Sequence, residues 1–133
     1  MRITPDTNVL VRMFVGDDRE QMKIARAELT KAETVALAIP SLCELVWVLR
    51  KLYRVDDATI ASGIRDLIDT ETVAVNRGAA EAGLKILEAG GDFADGAIAY
   101  DGEQLGGNVF VSFDKQAVSL LSRHGVSSRL LGR

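Results

Sequence analysis

The chain alternates between short β-strand-like runs and longer segments with apolar residues at helical spacing, and this alternation constrains the fold most. The predicted strands are residues 3–5, 35–39, 72–75, 108–113 and 126–131. Helices are predicted over residues 18–33, 41–53, 57–68, 79–89, 92–105 and 115–123. Strands that alternate with helices favour a parallel sheet with helices on both faces. We therefore expect an α/β fold with a central parallel sheet flanked by helices.

Two of the predicted helices, between residues 41 and 69, follow each other without an intervening strand. The first has an apolar stripe at helical spacing, which consists of Leu42, Leu45, Val46, Leu49, Leu52 and Tyr53. We expect this pair to form a helical hairpin that protrudes from the sheet. A length of 133 residues suits one domain with a core of its own. Because no repeat or linker divides the sequence, residues 1–133 are predicted to form a single domain.

Four acidic residues recur where strands end or helices begin. Asp6 and Asp114 each follow a strand-like run, and Glu44 and Asp95 each lie in the first turn of a predicted helix. In an α/β fold, these positions can meet at one edge of the sheet, where ligands bind. Carboxylates that meet there repel each other unless they share a divalent cation. The pattern therefore predicts an acidic, metal-binding site made of these four residues.

Each acid also has a purely structural interpretation. Asp6 suits a turn in which its carboxylate binds the local backbone, and Asp114 suits an N-cap. Ser41 and Glu44 have the spacing of a capping box, in which Glu44 binds back to the helix start. Asp95 would be favoured by the helix dipole three residues after the predicted cap. The four acids together are stronger evidence for a site than any one of them.

Five neighbouring residues are candidates for supporting the acids or for contacting a phosphate: Thr7, Asn8, Arg12, Asp92 and Ser112. Residues 6–8 form one turn, so Thr7 or Asn8 can orient Asp6. Asp92 shares a helix face with Asp95 at a spacing of three residues, although capping of the same helix is its simpler role. Ser112 and Asp114 point to the same side of a strand because side chains alternate.

The residue types narrow the chemistry. Cys43 is the only cysteine and His124 the only histidine, so zinc ligation and catalysis by a histidine pair are not favoured. Carboxylates are ligands that Mg²⁺ prefers, and Mn²⁺ is a possible substitute.

A single cysteine, short apolar runs and no visible signal peptide predict a cytoplasmic protein that does not enter a membrane. The net charge of −3 gives no general attraction to nucleic acid.

Four segments resemble the PIN-domain ribonucleases, and specifically the VapC toxins of bacterial toxin–antitoxin pairs. They are DTNVLVR, PSLCELVWVLRKLY, GGDFADGAIA and VFVSFDKQA, and their order and spacing agree with that family. The resemblance implies a PIN-like three-layer fold and an acidic site made of Asp6, Glu44, Asp95 and Asp114. It also implies RNA cleavage with Mg²⁺ or Mn²⁺, inhibition by a cognate antitoxin protein, and a homodimer.

Two residues depart from the family pattern. Pro5 replaces the usual aliphatic residue before Asp6, and Gly96 stands where alanine is commoner. Two other classes stay open on sequence grounds. A haloacid-dehalogenase-like phosphatase also begins with an aspartate after its first strand, although Asn8 stands where its second aspartate is needed. The other is a non-enzymatic α/β interaction module whose acids serve as helix caps.

Overall fold

The computed structural model describes residues 1–132 and divides into two compact units, Met1–Asn76 and the segment from Arg77 onward. Every strand pair in the described part of the chain is parallel, which confirms the predicted α/β class. The first unit holds a three-stranded sheet and the second a two-stranded sheet. No helix within residues 1–132 has both the length and the apolar character needed to cross a membrane.

The first unit contains three strands and four helices. In chain order they are β1 (Arg2–Ile3), α1 (Thr7–Phe14), α2 (Arg19–Lys31), β2 (Thr34–Leu37), α3 (Ile39–Lys51), α4 (Asp57–Ile68) and β3 (Val73–Val75). The strand order is β1-β2-β3, with Val35 of β2 opposite Ile3 on one side and Val73 on the other. Val35 is buried together with leucines and isoleucines of α1, α3 and α4.

The second unit contains three helices and two strands. They are α5 (Arg77–Glu88), α6 (Phe93–Gln104), β4 (Phe110–Ser112), α7 (Lys115–Arg123) and β5 (Ser128–Leu130). The helices α5 and α6 approach each other closely, because a Cβ atom on Gly83 would meet the buried ring of Phe93 and one on Gly96 would overlap the carbonyl oxygen of Ala82. The glycine at position 96 therefore allows close packing of α6 on α5, whereas a Cβ atom on Gly102 would meet no atom within 4 Å.

Helix caps account for most of the boundaries that the sequence predicted. Asp18 and Asp56 cap α2 and α4, and each accepts a bond from the backbone N–H three residues later. Helix α7 has the predicted bounds, with His124 as its C-cap and Gly125 in the left-handed region at φ +83°. The ring Nδ1 of His124 lies 2.8 Å from the Leu120 carbonyl oxygen, so the ring donates there.

Two predictions at the ends of α3 were wrong. Helix α3 begins at Ile39, which was assigned to the preceding strand, because Pro40 fits the first turn of a helix, where its missing N–H costs nothing. Leu52, assigned to the buried stripe, is 64% exposed because the helix has ended at Lys51. The strand β1 ends at Ile3, so Pro5 lies outside it and removes no hydrogen bond from the sheet.

Candidate active site

Asp6 is positioned by the short segment that joins β1 to α1. It is the N-cap of α1, and its Oδ1 accepts a 2.8 Å hydrogen bond from the backbone N–H of Thr7. This bond satisfies one of the free N–H groups at the helix start. The other carboxylate oxygen has no hydrogen-bond partner within residues 1–132. Asp6 is exposed, so that second oxygen is available to a ligand.

Glu44 is held by a residue far away in sequence. The hydroxyl of Thr7 donates a 2.6 Å hydrogen bond to Oε1 of Glu44. The capping-box interpretation of Glu44 is wrong, because the N-cap of α3 is Ala38, which makes no side-chain cap bond. Ser41 is therefore already inside the helix and is not its cap. The side chain of Thr7 contacts Glu44 while its backbone contacts Asp6, so this one residue links the first two predicted site acids.

Asp95 lies in the first turn of α6, three residues after its N-cap. That cap is Asp92, whose Oδ1 accepts from the N–H of Ala94 at 3.2 Å. The pKa of Asp95 is raised, first by partial burial and then by the negative charges of Asp92 and Asp114. Asp95 therefore lies near enough to the carboxylates of Asp92 and Asp114 to interact with each of them. Asp92 therefore caps α6, as predicted, and its negative charge also acts on Asp95.

Asp114 is the N-cap of α7. Its Oδ1 accepts from the backbone N–H groups of Gln116 and Ala117, at 2.9 and 3.2 Å. The hydroxyl oxygen of Ser112 accepts a 3.0 Å bond from the N–H of Asp114, so Ser112 supports the turn at this acid. The second carboxylate oxygen of Asp114 has no hydrogen-bond partner in the described part of the chain.

Arg12 lies on α1 and is already engaged by protein groups. Its Nη1 lies 2.6 Å from Oδ1 of Asp17, and the hydroxyl of Tyr53 donates to the other oxygen of Asp17 at 3.2 Å. The sequence analysis missed Asp17 and Tyr53 as partners of Arg12, and the only sequence signal was the five-residue spacing of Arg12 and Asp17. Near the end of α3, Arg50 pairs with Asp57 at 2.9 Å, which supports a structural role for Arg50.

The structure places the predicted acids in two groups, one in each unit. Asp6 and Glu44 share Thr7, and Asp92, Asp95 and Asp114 share an electrostatic environment. Within residues 1–132 no three His, Cys, Asp or Glu side chains form a compact group able to hold a metal ion. The joint site thus stays a prediction.

A comparison with known protein families shows to which family the chain belongs. The family model described as PIN domain matches residues 3–121, a segment that includes all four predicted site acids. The chain belongs to the PIN domain family. PIN domains are generally metal-dependent nucleases that act on nucleic acid. No curated protein matches the chain closely enough to add a more specific identity.

Membership of the PIN family confirms the general part of the sequence interpretation. PIN domains have an α/β fold and are generally nucleases, so the match does not support the haloacid-dehalogenase alternative. The alternative that the acids serve as caps is correct for Asp6 and Asp114, but it does not describe Glu44. A role as helix cap and a role in a PIN site are compatible, because a cap bond occupies one carboxylate oxygen and leaves the other.

Proposed function

We propose that this PIN domain is a metal-dependent endoribonuclease and the toxin of a toxin–antitoxin pair, with a site made of Asp6, Glu44, Asp95 and Asp114. The hydrogen bond between Thr7 and Glu44 carries the proposal. Capping explains the position of many acids at helix starts, but it does not explain a glutamate on a helix face that is held by the residue next to another acid.

The donor atoms of the proposed site suit a hard divalent cation. Carboxylate oxygens are the ligands that Mg²⁺ and Mn²⁺ prefer, and the described parts of the proposed site contain no thiolate or imidazole. Asp6, Glu44, Asp95 and Asp114 would hold the cation. When bound, Mg²⁺ would supply an activated water and would offset negative charge on the phosphodiester.

Neighbouring groups of the chain would orient the acids of the proposed site. Thr7 holds the Glu44 carboxylate in one orientation, and Ser112 supports the backbone at Asp114. Partial burial first, and then repulsion by Asp92 and Asp114, raises the pKa of Asp95, and a bound cation would offset the repulsion. Attack by the RNA's own 2′-hydroxyl is not favoured, since it usually needs a histidine base and His124 is committed to the end of α7.

Cleavage of a mixed RNA pool tests the nuclease proposal. Purified protein is incubated with Mg²⁺, with Mn²⁺ or with a chelator, and Asp6→Asn is compared with Asp56→Asn. Asp56 is a matched control because it caps α4 through a similar bond and lies outside the proposed site. The proposal expects metal-dependent cutting that Asp6→Asn abolishes and Asp56→Asn retains. Equal loss in both variants, or no cutting by folded wild type, would contradict it.

The toxin role is supported by the four segments that resemble VapC proteins, and it needs a separate test. Induced expression of the chain in bacteria is expected to stop growth, whereas Asp6→Asn is expected to permit it. Co-expression of a cognate antitoxin protein, encoded beside the toxin gene, is expected to restore growth. The proposed homodimer is checked by the sedimentation mass of the purified chain. Normal growth with abundant folded wild type would contradict the toxin role.

A further inference from the structure

A groove of about 440 Å³ lies between α1 and α2 in the first unit. Its apolar part consists of Val9, Ile24 and Ala25, and its polar part includes Asn8, Arg12 and Gln21. A mainly apolar concave surface with a few polar groups is the usual character of a ligand site, and this volume lies within the usual range of about 300–1,000 Å³.

The groove begins beside the first acid of the proposed site. Asn8 follows Asp6 by two residues and Arg12 by six, and both line the groove. Since an α-helix rises about 1.5 Å per residue, the two lie roughly 3 Å and 9 Å along the axis from Asp6. Because Asp6 is the N-cap of α1 and Asn8 lies in the first turn of that helix, the groove begins within one helical turn of Asp6.

The side chains of the groove offer polar and apolar contacts of the kind that a nucleotide base can make. The amides of Asn8 and Gln21 have no hydrogen-bond partner within residues 1–132, and amides can both donate to and accept from the edge of a base. Ile24 is 59% exposed and offers an apolar surface to the face of a base.

Arg12 is prepared to hold a phosphate. Asp17 fixes its position through a 2.6 Å bond that uses one of its five N–H donors, and Tyr53 in turn donates to the other oxygen of Asp17 at 3.2 Å. An arginine fixed by an acid can use its other donors to bind phosphate oxygens. The one acid lining the groove, Glu28, pairs with Lys31 at 2.9 Å, which reduces its repulsion of a phosphate.

We propose that this groove is a subsite that binds the nucleotide next to the scissile phosphate, with the base between α1 and α2 and a flanking phosphate on Arg12. The subsite rests on the proposed nuclease function and adds sequence selectivity to it. Gln21 and Asn8 would read the edge of the base, so the cleavage preference of the enzyme would be set partly by α1 and α2.

The cleavage-site profile on a random-sequence RNA pool tests the subsite. The variants are Gln21→Ala and Ile24→Ser, and the matched controls are Gln104→Ala and Ile98→Ser, the latter at a residue that is 57% exposed. The groove variants are expected to weaken the preference at one position beside the cut and to raise KM about ten-fold, as loss of one good base contact would. An unchanged profile and KM would overturn the subsite.

A binding arm separates failure of the subsite from failure of the nuclease function. Fluorescence anisotropy of a labelled single-stranded oligoribonucleotide is measured with wild type, the two groove variants and the two controls, without added metal. If wild type cuts no RNA but only the groove variants bind about ten-fold more weakly, the groove binds a nucleotide and it is the nuclease function that fails. Equal binding by all variants would overturn the subsite whether or not the protein cuts RNA.

Discussion

The hydroxyl of Thr7 donates a 2.6 Å hydrogen bond to Glu44, while the backbone N–H of the same residue donates to Asp6 at 2.8 Å. One residue thus orients two acids that are 38 positions apart in the sequence (44 − 6). Partners of this kind fix the direction of a metal-binding carboxylate, and their loss typically costs about 10–100-fold in metal affinity or activity.

Thr7→Val should therefore weaken Mn²⁺ binding and slow RNA cleavage by about 10–100-fold, because valine keeps the shape of threonine but cannot donate to Glu44. Thr7→Ser keeps a hydroxyl and should recover most of both. The measurements are Mn²⁺ titration calorimetry and cleavage rate at saturating RNA. Equal loss in the serine and valine variants would show that Thr7 acts by packing alone.

Gly96→Ala should destabilise the protein by roughly 1–3 kcal/mol, the usual cost of forcing an extra group into a packed position. The added Cβ would overlap the carbonyl oxygen of Ala82, and backbone cannot move aside easily. Gly102→Ala on the same helix is the matched control, since the added Cβ would meet no atom within 4 Å. It should stabilise by about 0.5–1 kcal/mol through helix propensity.

Urea unfolding of the two alanine variants measures this difference. Helix propensity alone predicts that both substitutions stabilise α6, whereas the packing against α5 predicts opposite signs. A gain in stability from Gly96→Ala would show that α5 and α6 do not approach as closely as the structure describes.

The stabilising effect of Asp56 should disappear in acid. Bonds from Thr59, first from its hydroxyl and then from its backbone N–H, lower the pKa of Asp56 below the ordinary value of 3.8. A carboxylate with a lowered folded-state pKa stabilises the fold above its unfolded pKa, and this effect is lost as pH falls through the folded pKa. Asp56→Ala should therefore unfold at lower urea than wild type near neutral pH.

The comparison of wild type and Asp56→Ala is repeated about two pH units below 3.8, where the gap between the two urea midpoints should be clearly smaller. Asp56→Asn, which keeps a capping side chain, should differ less from wild type at neutral pH. A gap that stays constant across this range would show that the charge of Asp56 contributes nothing to the cap.

Local patterns in the sequence predicted what depends on neighbouring residues. The caps at Asp18, Asp56 and Asp92 and the full extent of α7 follow from side chains that bind backbone groups a few residues away. The parallel pairing of the strands follows from the alternation of strands and helices.

Local sequence patterns did not predict the contacts between segments that are far apart in the sequence. The partner of Glu44 is 37 residues away, and the local Ser41–Glu44 spacing indicated a capping box that does not form. The need for glycine at position 96 depends on a carbonyl of α5, and the bond from Tyr53 to Asp17 depends on the position of the chain just after α3. These features arise from packing, which local spacing does not encode.

The central claim is that acids from separate parts of the sequence bind one divalent cation, and titration of Mn²⁺ into four proteins tests it most directly. They are wild type, Glu44→Gln, Asp95→Asn and the cap control Asp56→Asn. Because each of the first two variants loses a proposed ligand, both should bind Mn²⁺ at least about ten-fold more weakly than wild type. Asp56→Asn should bind as wild type does. Wild-type affinity in either Glu44→Gln or Asp95→Asn would contradict the claim that these acids share one cation.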